Sequence, residues 1–186
     1  IAWGRNWSGQ TNVPPQATNV VAVAAGYAHS LALRADGVVL AWGENEFGQA
    51  AVSYLAQEVV AIAAGYYHNL ALRADGRVVA WGLDDAVPAE TTDVVAIAAG
   101  WRHSLALRAD GTVLAWGDDT YGQSTVPNTV TNVVAIAAGW YHSVALRADG
   151  AVVVWGRNVY GITTPPNALL QASQIATGEG HGLVLV

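Results

Sequence analysis

Five histidines recur at nearly constant spacing and are the first candidates for metal binding or catalysis. They lie 39, 35, 39 and 39 residues apart, each preceded by a glycine and two variable residues: His29, His68, His103, His142 and His181. Zinc ligands must lie about 2 Å from one shared ion, whereas equivalent positions of successive repeats should stand one repeat apart. No second His, Asp or Glu accompanies each histidine at ligand spacing. We therefore expect no metal site, and we expect each imidazole to be partly buried and hydrogen-bonded to backbone.

The remaining residues that could do chemistry do not form a catalytic set. Two pairs of adjacent carboxylates occur, Asp84-Asp85 and Asp118-Asp119, but adjacent side chains do not face each other as a general acid and base must. The chain has no cysteine, no Gly-rich phosphate loop and no plausible Ser-His-Asp arrangement. The sequence predicts a non-catalytic protein without a cofactor.

Composition excludes several other classes of function. Charged residues make up 12% of the chain, the net charge is −6, and none of the basic residues is lysine. Nucleic acids and anionic membranes are bound mainly through Lys and Arg, so this balance argues against both. Gly, His or Asp interrupts every apolar stretch before the roughly 18 residues needed to span a bilayer. A hydrophobic content of 53% instead favours a folded domain with a substantial core.

The chain is built from one repeated unit. Val-Val-Ala-Ile-Ala-Ala-Gly occurs at 59–65, 94–100 and 133–139, and at 20–26 with Val in place of Ile. Trp-Gly pairs follow with the same spacing as the histidines. These landmarks divide one domain, 1–186, into units 3–41, 42–80, 81–115, 116–154 and 155–186, with residues 1–2 completing the last.

Each unit predicts three short antiparallel strands. The first is the Val-Val-Ala-Ile-Ala-Ala run, the second begins at the histidine, and the third ends at Trp-Gly. Asp-Gly between the second and third runs is a strong hairpin signal. The connector after Trp-Gly is long enough to add a fourth edge strand. Because the strands are apolar on both faces, they are typical of sheets covered on both sides, as in the blades of a propeller. A β-solenoid is the open alternative, although its coils are usually shorter.

The two ends of the sequence predict a closed ring. Residues 1–4 match the third strand of a unit, and residues 182–186 match a second strand that lacks its third. Pairing of the N-terminal strand with the C-terminal strand would complete the last blade and protect the edges. We therefore expect an all-β, five-bladed propeller with blades of three to four strands. The alternative is a segment of a longer array of units.

The motifs resemble a known family. Gly-x-x-His-Ser-Leu-Ala-Leu at Gly26–Leu33 and Trp-Gly-x-Asn-x-x-Gly-Gln at Trp42–Gln49 are similar to the regulator-of-chromosome-condensation repeat, across almost the whole chain. The short units and connectors are most similar to the bacterial branch that contains a propeller-fold β-lactamase inhibitor. The resemblance implies a propeller that binds proteins through loops at one end, and a secreted or cell-surface location.

The candidate binding residues lie where the units differ. The pair between the glycine and the histidine varies, and it should share one end of the blade with the start of the connector, which carries an aromatic residue before its glycine. Arg and aromatic residues dominate interface hot spots. The connector of the third unit is four residues shorter and lacks this aromatic. The predicted partner-binding residues are Tyr27, Tyr66, Tyr67, Trp101, Arg102, Trp140, Tyr141, Phe47, Tyr121 and Tyr160.

Three alternatives to protein binding remain at this stage. The rings could turn inward and fill the channel of the ring. A carbohydrate-binding lectin would use the same aromatic residues, with one equivalent sugar site for each blade. The units could also form only a spacer within a larger surface protein. The variation between turn pairs favours a protein partner, because a protein footprint uses different residues from each blade.

Overall fold

The structure, a computed structural model, describes residues 1–83, 86–159, 161–164 and 171–186. The described residues are all-β, and they separate into two compact units, Ile1–Thr92 and Asp93–Val186. The strands are short and antiparallel within every sheet, as the sequence predicts. No helix among the described residues has the length and apolar character needed to cross a membrane.

The first unit, Ile1–Thr92, contains two three-stranded sheets. The first sheet has the order β1-β2-β3 and the second has the order β4-β5-β6. Their strands are β1 (Val20–Ala25), β2 (His29–Arg34), β3 (Val39–Gly43), β4 (Val59–Ala64), β5 (His68–Arg73) and β6 (Val78–Gly82).

The second unit, Asp93–Val186, contains two further three-stranded sheets and one sheet of two strands. The orders are β7-β8-β9, β10-β11-β12 and β13-β14. The strands are β7 (Val94–Ala99), β8 (His103–Arg108), β9 (Val113–Gly117), β10 (Val133–Ala138), β11 (His142–Arg147), β12 (Val152–Gly156), β13 (Gln174–Thr177) and β14 (Gly182–Leu185). The connectors add no fourth strand to these sheets within the described residues.

The Asp-Gly turns close the hairpin between the second and third strands of each blade. At the first of them, Gly37 has φ 80°, which is the left-handed conformation that favours glycine. The arginine that ends the second strand pairs with the aspartate of the same turn: Arg34–Asp36 at 2.6 Å, Arg73–Asp75 at 3.3 Å and Arg147–Asp149 at 2.9 Å. In these three blades the charges are therefore held within the hairpin end.

Neighbouring blades pack face to face within each unit. In the first unit, Leu31 and Leu33 of β2 pack with Ala71 of β5 and Trp81 of β6. The small residues of the first strands, such as Ala22, lie against the same cluster and allow the sheets to approach closely.

The second unit repeats this arrangement between its first two sheets. Leu105 and Leu107 of β8 pack with Ala145 of β11 and Trp155 of β12. Blade-on-blade packing thus covers the second strands, as the sequence predicts. The first strands differ from that expectation, because one face of each is open and Val21, Val60, Val95 and Val134 are more than half exposed.

The predicted three-stranded antiparallel blades are confirmed, whereas the closed ring is not. Residues 1–4 lie outside the strands, and β14 pairs with β13. The closure of the ring by its two ends, the count of five blades and the single domain 1–186 stay predictions.

Candidate functional site

The turn between the first and second strands of each blade lies beside the start of the connector. In the first blade, the Gly26 N–H donates to the His29 carbonyl at 3.0 Å, which closes the turn around the variable pair. The Glu44 N–H, directly after Trp-Gly, donates to the Ala28 carbonyl at 2.9 Å. Equivalent bonds occur in the other three-stranded blades, so the turn and the connector present their side chains together.

The shape of this turn, which recurs from blade to blade, depends on a buried histidine beneath it. A Cβ atom at Gly26 would collide with the His29 ring and lie 2.6 Å from the Gly65 carbonyl oxygen of the next blade. The His29 ring is fully buried, and its Nε2 lies 2.7 Å from Oδ1 of Asn69 in the next blade. Glycine is therefore required before each variable pair, because the histidine that links two blades occupies the space of its side chain.

The partner of this histidine differs from the sequence-based expectation of a backbone group. In the second unit His103 makes the same kind of contact as His29, with its Nε2 3.0 Å from the Ser143 hydroxyl. His142 is also buried, but the position equivalent to Ser143 in the next repeat is Gly182, and the described residues offer its Nε2 no partner. His29 and His103 therefore link neighbouring blades, and the link depends on the polar residue that follows the histidine of the next blade.

Replacing Asn69 tests this link. Asn69 is fully buried, and its Nδ2 donates to the Gln49 carbonyl at 2.8 Å while its Oδ1 meets the His29 ring. Asn69→Ala leaves the buried His29 Nε2 without its partner and removes one of the two donors to the Gln49 carbonyl, so we expect the free energy of unfolding to fall by about 1–3 kcal/mol in chemical denaturation. Asn69→Ser installs the residue that the fourth blade carries and should lose much less. Equal losses for the two variants would contradict the link.

The buried histidines also predict how stability depends on pH. Burial lowers the pKa of His29 below its ordinary value of 6.5, and it lowers the pKa of His142 in the same direction, with a smaller contribution from His181. The unfolded chain therefore binds more protons than the folded chain just below pH 6.5. The stability from the neutral rings is present above that value and is lost as the pH falls through the lowered pKa.

We expect the temperature of unfolding to fall between about pH 7 and pH 5, above the range where carboxylates titrate. The double variant His29→Gln, His142→Gln should show a shallower decrease over the same interval in calorimetric scans. An unchanged slope in that variant would mean that these rings do not carry the pH dependence.

The connector is held by its glutamine, which positions the aromatic residue two places earlier. In the second blade the Gln49 carbonyl accepts the Trp81 indole N–H at 3.1 Å, and Gln49 Oε1 accepts the Phe47 N–H at 2.9 Å. In the fourth blade Gln123 makes the same two contacts, with Trp155 and Tyr121, both at 2.9 Å. The connector aromatics are thus fixed by hydrogen bonds to the blade core rather than left on free loops.

The shorter third connector lacks this glutamine. Trp116 is buried like Trp81 and Trp155, yet its indole Nε1 has no hydrogen-bond partner among the described residues. The adjacent Asp84 and Asp85 lie outside the described residues. The third connector therefore lacks the hydrogen bond from the tryptophan indole to the glutamine carbonyl that the connectors of Gln10, Gln49 and Gln123 make.

In the first unit, the aromatic side chains form one connected group, the Tyr27 cluster. Tyr27 and Tyr66 stack with ring centroids 3.9 Å apart and planes 12° from parallel. Tyr67 meets the edges of Tyr66 at 4.3 Å and Phe47 at 4.9 Å. The Arg5 guanidinium lies 3.8 Å from the Trp7 ring, which is 85% exposed, and 5.5 Å from the Tyr27 ring. The cluster consists of Arg5, Trp7, Tyr27, Phe47, Tyr66 and Tyr67.

The hydroxyl groups of the stacked tyrosines are electrostatically unequal. Hydrogen bonds from Tyr66 and Arg5, with the Arg5 charge, lower the pKa of Tyr27. Burial, and then the hydrogen bond to Tyr27, raise the pKa of Tyr66. Arg5 Nη1 donates to the Tyr27 hydroxyl at 3.3 Å. The positive charge of Arg5 therefore lies against the oxygen of Tyr27, which accepts its hydrogen bond.

In the second unit, a different set of rings forms the Trp101 cluster. Trp101 and Trp140 stack with centroids 6.1 Å apart, and Tyr141 meets the edges of Trp101 at 4.5 Å and Tyr121 at 5.2 Å. The Arg157 guanidinium lies 4.8 Å from the Tyr121 ring and 5.3 Å from the Tyr141 ring. The cluster consists of Trp101, Tyr121, Trp140, Tyr141 and Arg157.

The two clusters contain eight of the ten predicted binding residues. Arg102 is exposed, and its backbone carbonyl accepts the Asp118 N–H at 2.7 Å, so it lies at the same end of its blade. Tyr160 lies outside the described residues. Their role in binding stays a prediction.

Sequence reasoning did not single out Arg5 or Arg157 as members of the site. Each is the residue directly after Trp-Gly in its connector, where the other units have Glu44, Leu83 and Asp118. The presence of Arg at this position in two units, in place of Glu, Leu or Asp, is the feature of the sequence that could have indicated these two residues.

The acidic residues of the fourth connector take part in local hydrogen bonds. Asp118 accepts from Gln123 Nε2 at 2.6 Å, and Asp119 accepts from the Ser124 N–H at 2.7 Å. Within the ranges that the structure describes, no three His, Asp or Glu side chains are grouped so that they could hold a metal ion. The absence of catalysis stays a prediction.

The repeats match a family profile over more than half of the chain. The profile of the regulator of chromosome condensation (RCC1) repeat matches residues 20–49, 59–86, 94–123 and 133–162. The chain belongs to the RCC1 repeat family. In the described part of this RCC1 repeat protein, each match begins at the first strand of a three-stranded blade. No curated protein matched the chain in a sequence search.

Solved structures show the same fold in RCC1 proteins and their relatives. The ectodomain of the receptor kinase CR4 from Physcomitrella patens has a TM-score of 0.73 at 24% identity, covering 84% of this chain and 46% of that one. Yeast RCC1 (Prp20) bound to Kap60 has a TM-score of 0.68 at 23% identity, covering 90% and 54%. Prp20p from Saccharomyces cerevisiae, described with its binding to Gsp1p and histones, has a TM-score of 0.66 at 23% identity, covering 90% and 56%. The chain therefore spans about half the length of these proteins.

Proposed function

We propose that the chain is a non-catalytic scaffold that binds a protein partner through the aromatic turns between the first and second strands of its blades. The observation that carries the proposal is the grouping of these turns with the connector aromatics into the Tyr27 cluster and the Trp101 cluster. Large rings and arginines supply most of the binding energy in protein interfaces. The two yeast structures add support, since Prp20 binds the proteins named with it.

The two clusters differ in composition, which favours a protein partner over a repeated sugar site. The Tyr27 cluster has Tyr27 stacked on Tyr66, whereas the Trp101 cluster has Trp101 and Trp140 at the equivalent positions. A carbohydrate-binding lectin built on repeats would be expected to present the same ring and the same polar groups in each blade. Carbohydrate binding therefore remains the alternative that the glycan array described below would detect.

We also propose that the blades are arranged as a five-bladed propeller ring. The packing of Leu31 and Leu33 on the next blade, repeated by Leu105 and Leu107, supports one type of interface between all neighbours. A crystal structure with five blades around one axis is expected. An open row of blades would contradict this arrangement.

The binding proposal can be tested with a phage-displayed random peptide library selected on the immobilised chain. We expect enriched peptides whose affinity falls at least about tenfold for Tyr66→Ala or Trp140→Ala. Val38→Ala, at the opposite hairpin end of a blade, should bind as the unmodified chain does. Thermal unfolding of each variant checks that it is folded.

Two outcomes would contradict the proposal. One is the recovery of no binding peptide, and the other is the recovery of peptides that the cluster variants bind unchanged. Specific signals on a glycan array, lost in the same variants, would favour the carbohydrate alternative.

A further inference from the structure

Five of the eight arginines differ in what lies against their guanidinium groups. At the hairpin end, Arg34, Arg73 and Arg147 form ion pairs with the aspartates of their own turns. At the aromatic end, Arg5 and Arg157 form no ion pair with any described residue, and aromatic rings are their close neighbours. Both side chains are exposed. Neither guanidinium is therefore paired with a carboxylate of the described residues.

The neighbouring rings cover the flat faces of these guanidinium groups and leave N–H groups on their edges available to an anion. Arg5 lies on the Trp7 face at 3.8 Å and donates one N–H to the Tyr27 hydroxyl at 3.3 Å. Arg157 lies over Tyr121 at 4.8 Å. A guanidinium that rests with its flat face on an aromatic ring keeps the N–H groups of its edge available, and that edge matches a carboxylate bidentately.

The acidic residues near these arginines are engaged elsewhere. Glu44 lies close enough to Tyr27 to act on it electrostatically, but it accepts a hydrogen bond from Gln49 at 3.3 Å. Near Arg157, Asp118 accepts from Thr120 Oγ1 and Gln123 Nε2, both at 2.6 Å, and Asp119 accepts from Thr125 Oγ1 at 2.6 Å. These carboxylates accept hydrogen bonds within their own connectors and form no ion pair with either guanidinium, so the guanidinium edges can bind an external carboxylate.

We propose that each cluster by itself binds an acidic peptide segment of the partner, whose Asp or Glu carboxylates bind the edge of Arg5 or of Arg157 while its apolar side chains pack on the neighbouring rings. This inference rests on the proposed protein-binding function and names the chemistry of the partner. The net charge of −6 does not prevent it. Repulsion between exposed charges is largely screened beyond about 8 Å at physiological salt, whereas the contacts to the two arginines act at hydrogen-bond distance.

Defined peptides test the carboxylate directly. The probes are fluorescein-labelled peptides of equal length, with three repeats of Gly-Glu-Tyr-Glu, Gly-Gln-Tyr-Gln or Gly-Lys-Tyr-Lys, measured by anisotropy against the whole chain. We expect the Glu peptide to bind at least about tenfold more tightly than the Gln peptide, as charge-assisted hydrogen bonds imply. The Lys peptide should bind most weakly.

The variants assign the effect to the two arginines. Arg5→Gln should remove binding of the Glu peptide at the Tyr27 cluster, and Arg157→Gln should remove it at the Trp101 cluster. The double variant should abolish the preference for the Glu peptide over the Gln peptide. Arg5→Lys keeps the positive charge but loses the two parallel N–H groups that bind a carboxylate. It should therefore bind the Glu peptide more weakly than the unmodified chain does. Arg77→Gln removes an exposed arginine at the hairpin end and should leave binding unchanged.

The proposal fails if the Glu and Gln peptides bind alike, if the Glu peptide does not bind, or if the arginine variants bind it unchanged. It also fails if a single-stranded oligonucleotide of similar charge binds as tightly as the Glu peptide. Library peptides that need Tyr66 and Trp140 but are not enriched in Asp and Glu would overturn the acidic segment while leaving the protein-binding function intact.

Discussion

Leu31→Ala is expected to lower the free energy of unfolding by about 2–5 kcal/mol, the range for a leucine truncated in a closely packed core. Leu31 is fully buried and lies in the cluster formed by the first two blades, where it packs with Ala71 and Trp81. The rigid sheets on either side limit how far the structure can relax into the space that is left. Because a domain of this size is stabilised by only about 5–15 kcal/mol, the variant should be markedly less stable.

Two comparisons make the Leu31 prediction specific. Leu105 is the equivalent residue of the second unit, and Leu105→Ala should cause a loss in the same range. Val21, on the first strand of the first blade, is 64% exposed, so Val21→Ala should change stability by less than about 0.5 kcal/mol. Urea denaturation followed by tryptophan fluorescence measures all three. If Leu31→Ala and Val21→Ala were equally stable, blade-on-blade packing would not be the source of stability.

Trp140→Ala is expected to weaken binding of a library-selected peptide by about thirtyfold, which corresponds to a hot-spot loss of about 2 kcal/mol. The Trp140 ring stacks on Trp101 and meets the edge of Tyr141 at 6.3 Å, so its removal eliminates contact area and disturbs two other rings of the Trp101 cluster. Titration calorimetry with the purified variant gives the change in affinity.

The losses of affinity caused by replacing two rings in contact should not be additive. The double variant Trp101→Ala, Trp140→Ala is expected to lose less affinity than the two single losses combined, since each single variant already disrupts the pair. Trp140→Tyr retains an aromatic face and should keep most of the affinity. Losses that are additive, or a Trp140→Tyr variant as weak as Trp140→Ala, would contradict binding through a packed group of rings.

The strands of this fold were predictable because each unit gives the same local signals several times. The Val-Val-Ala-Ile-Ala-Ala run, the histidine and the Trp-Gly pair mark the strands, and Asp-Gly fixes the hairpin between the last two. The face that carries function was predictable in outline, since the direction of the strands puts the variable pair and the connector at one end. Tyr27, Tyr66 and Phe47 could therefore be placed at the same end of their blades.

The contacts between blades could not be predicted from the sequence. Tyr27 and Tyr66 lie in different blades, and whether they stack depends on side-chain rotamers that the repeat does not specify. The expected backbone partner of His29 was wrong for a related reason, because its ring reaches Asn69 of the next blade. Arg5 and Arg157 were overlooked because their significance lies in the rings beneath them.

Hydrogen–deuterium exchange of the whole chain, with and without a library-selected peptide, tests the central claim most directly. Binding through the aromatic turns predicts slower exchange of backbone amides in residues 26–28, 65–67, 100–102 or 139–141 and at the start of the connectors, with the hairpin turn at 35–38 unchanged. Protection confined to the Asp-Gly hairpin turns, with no change at the aromatic turns, would contradict the assignment of the binding surface.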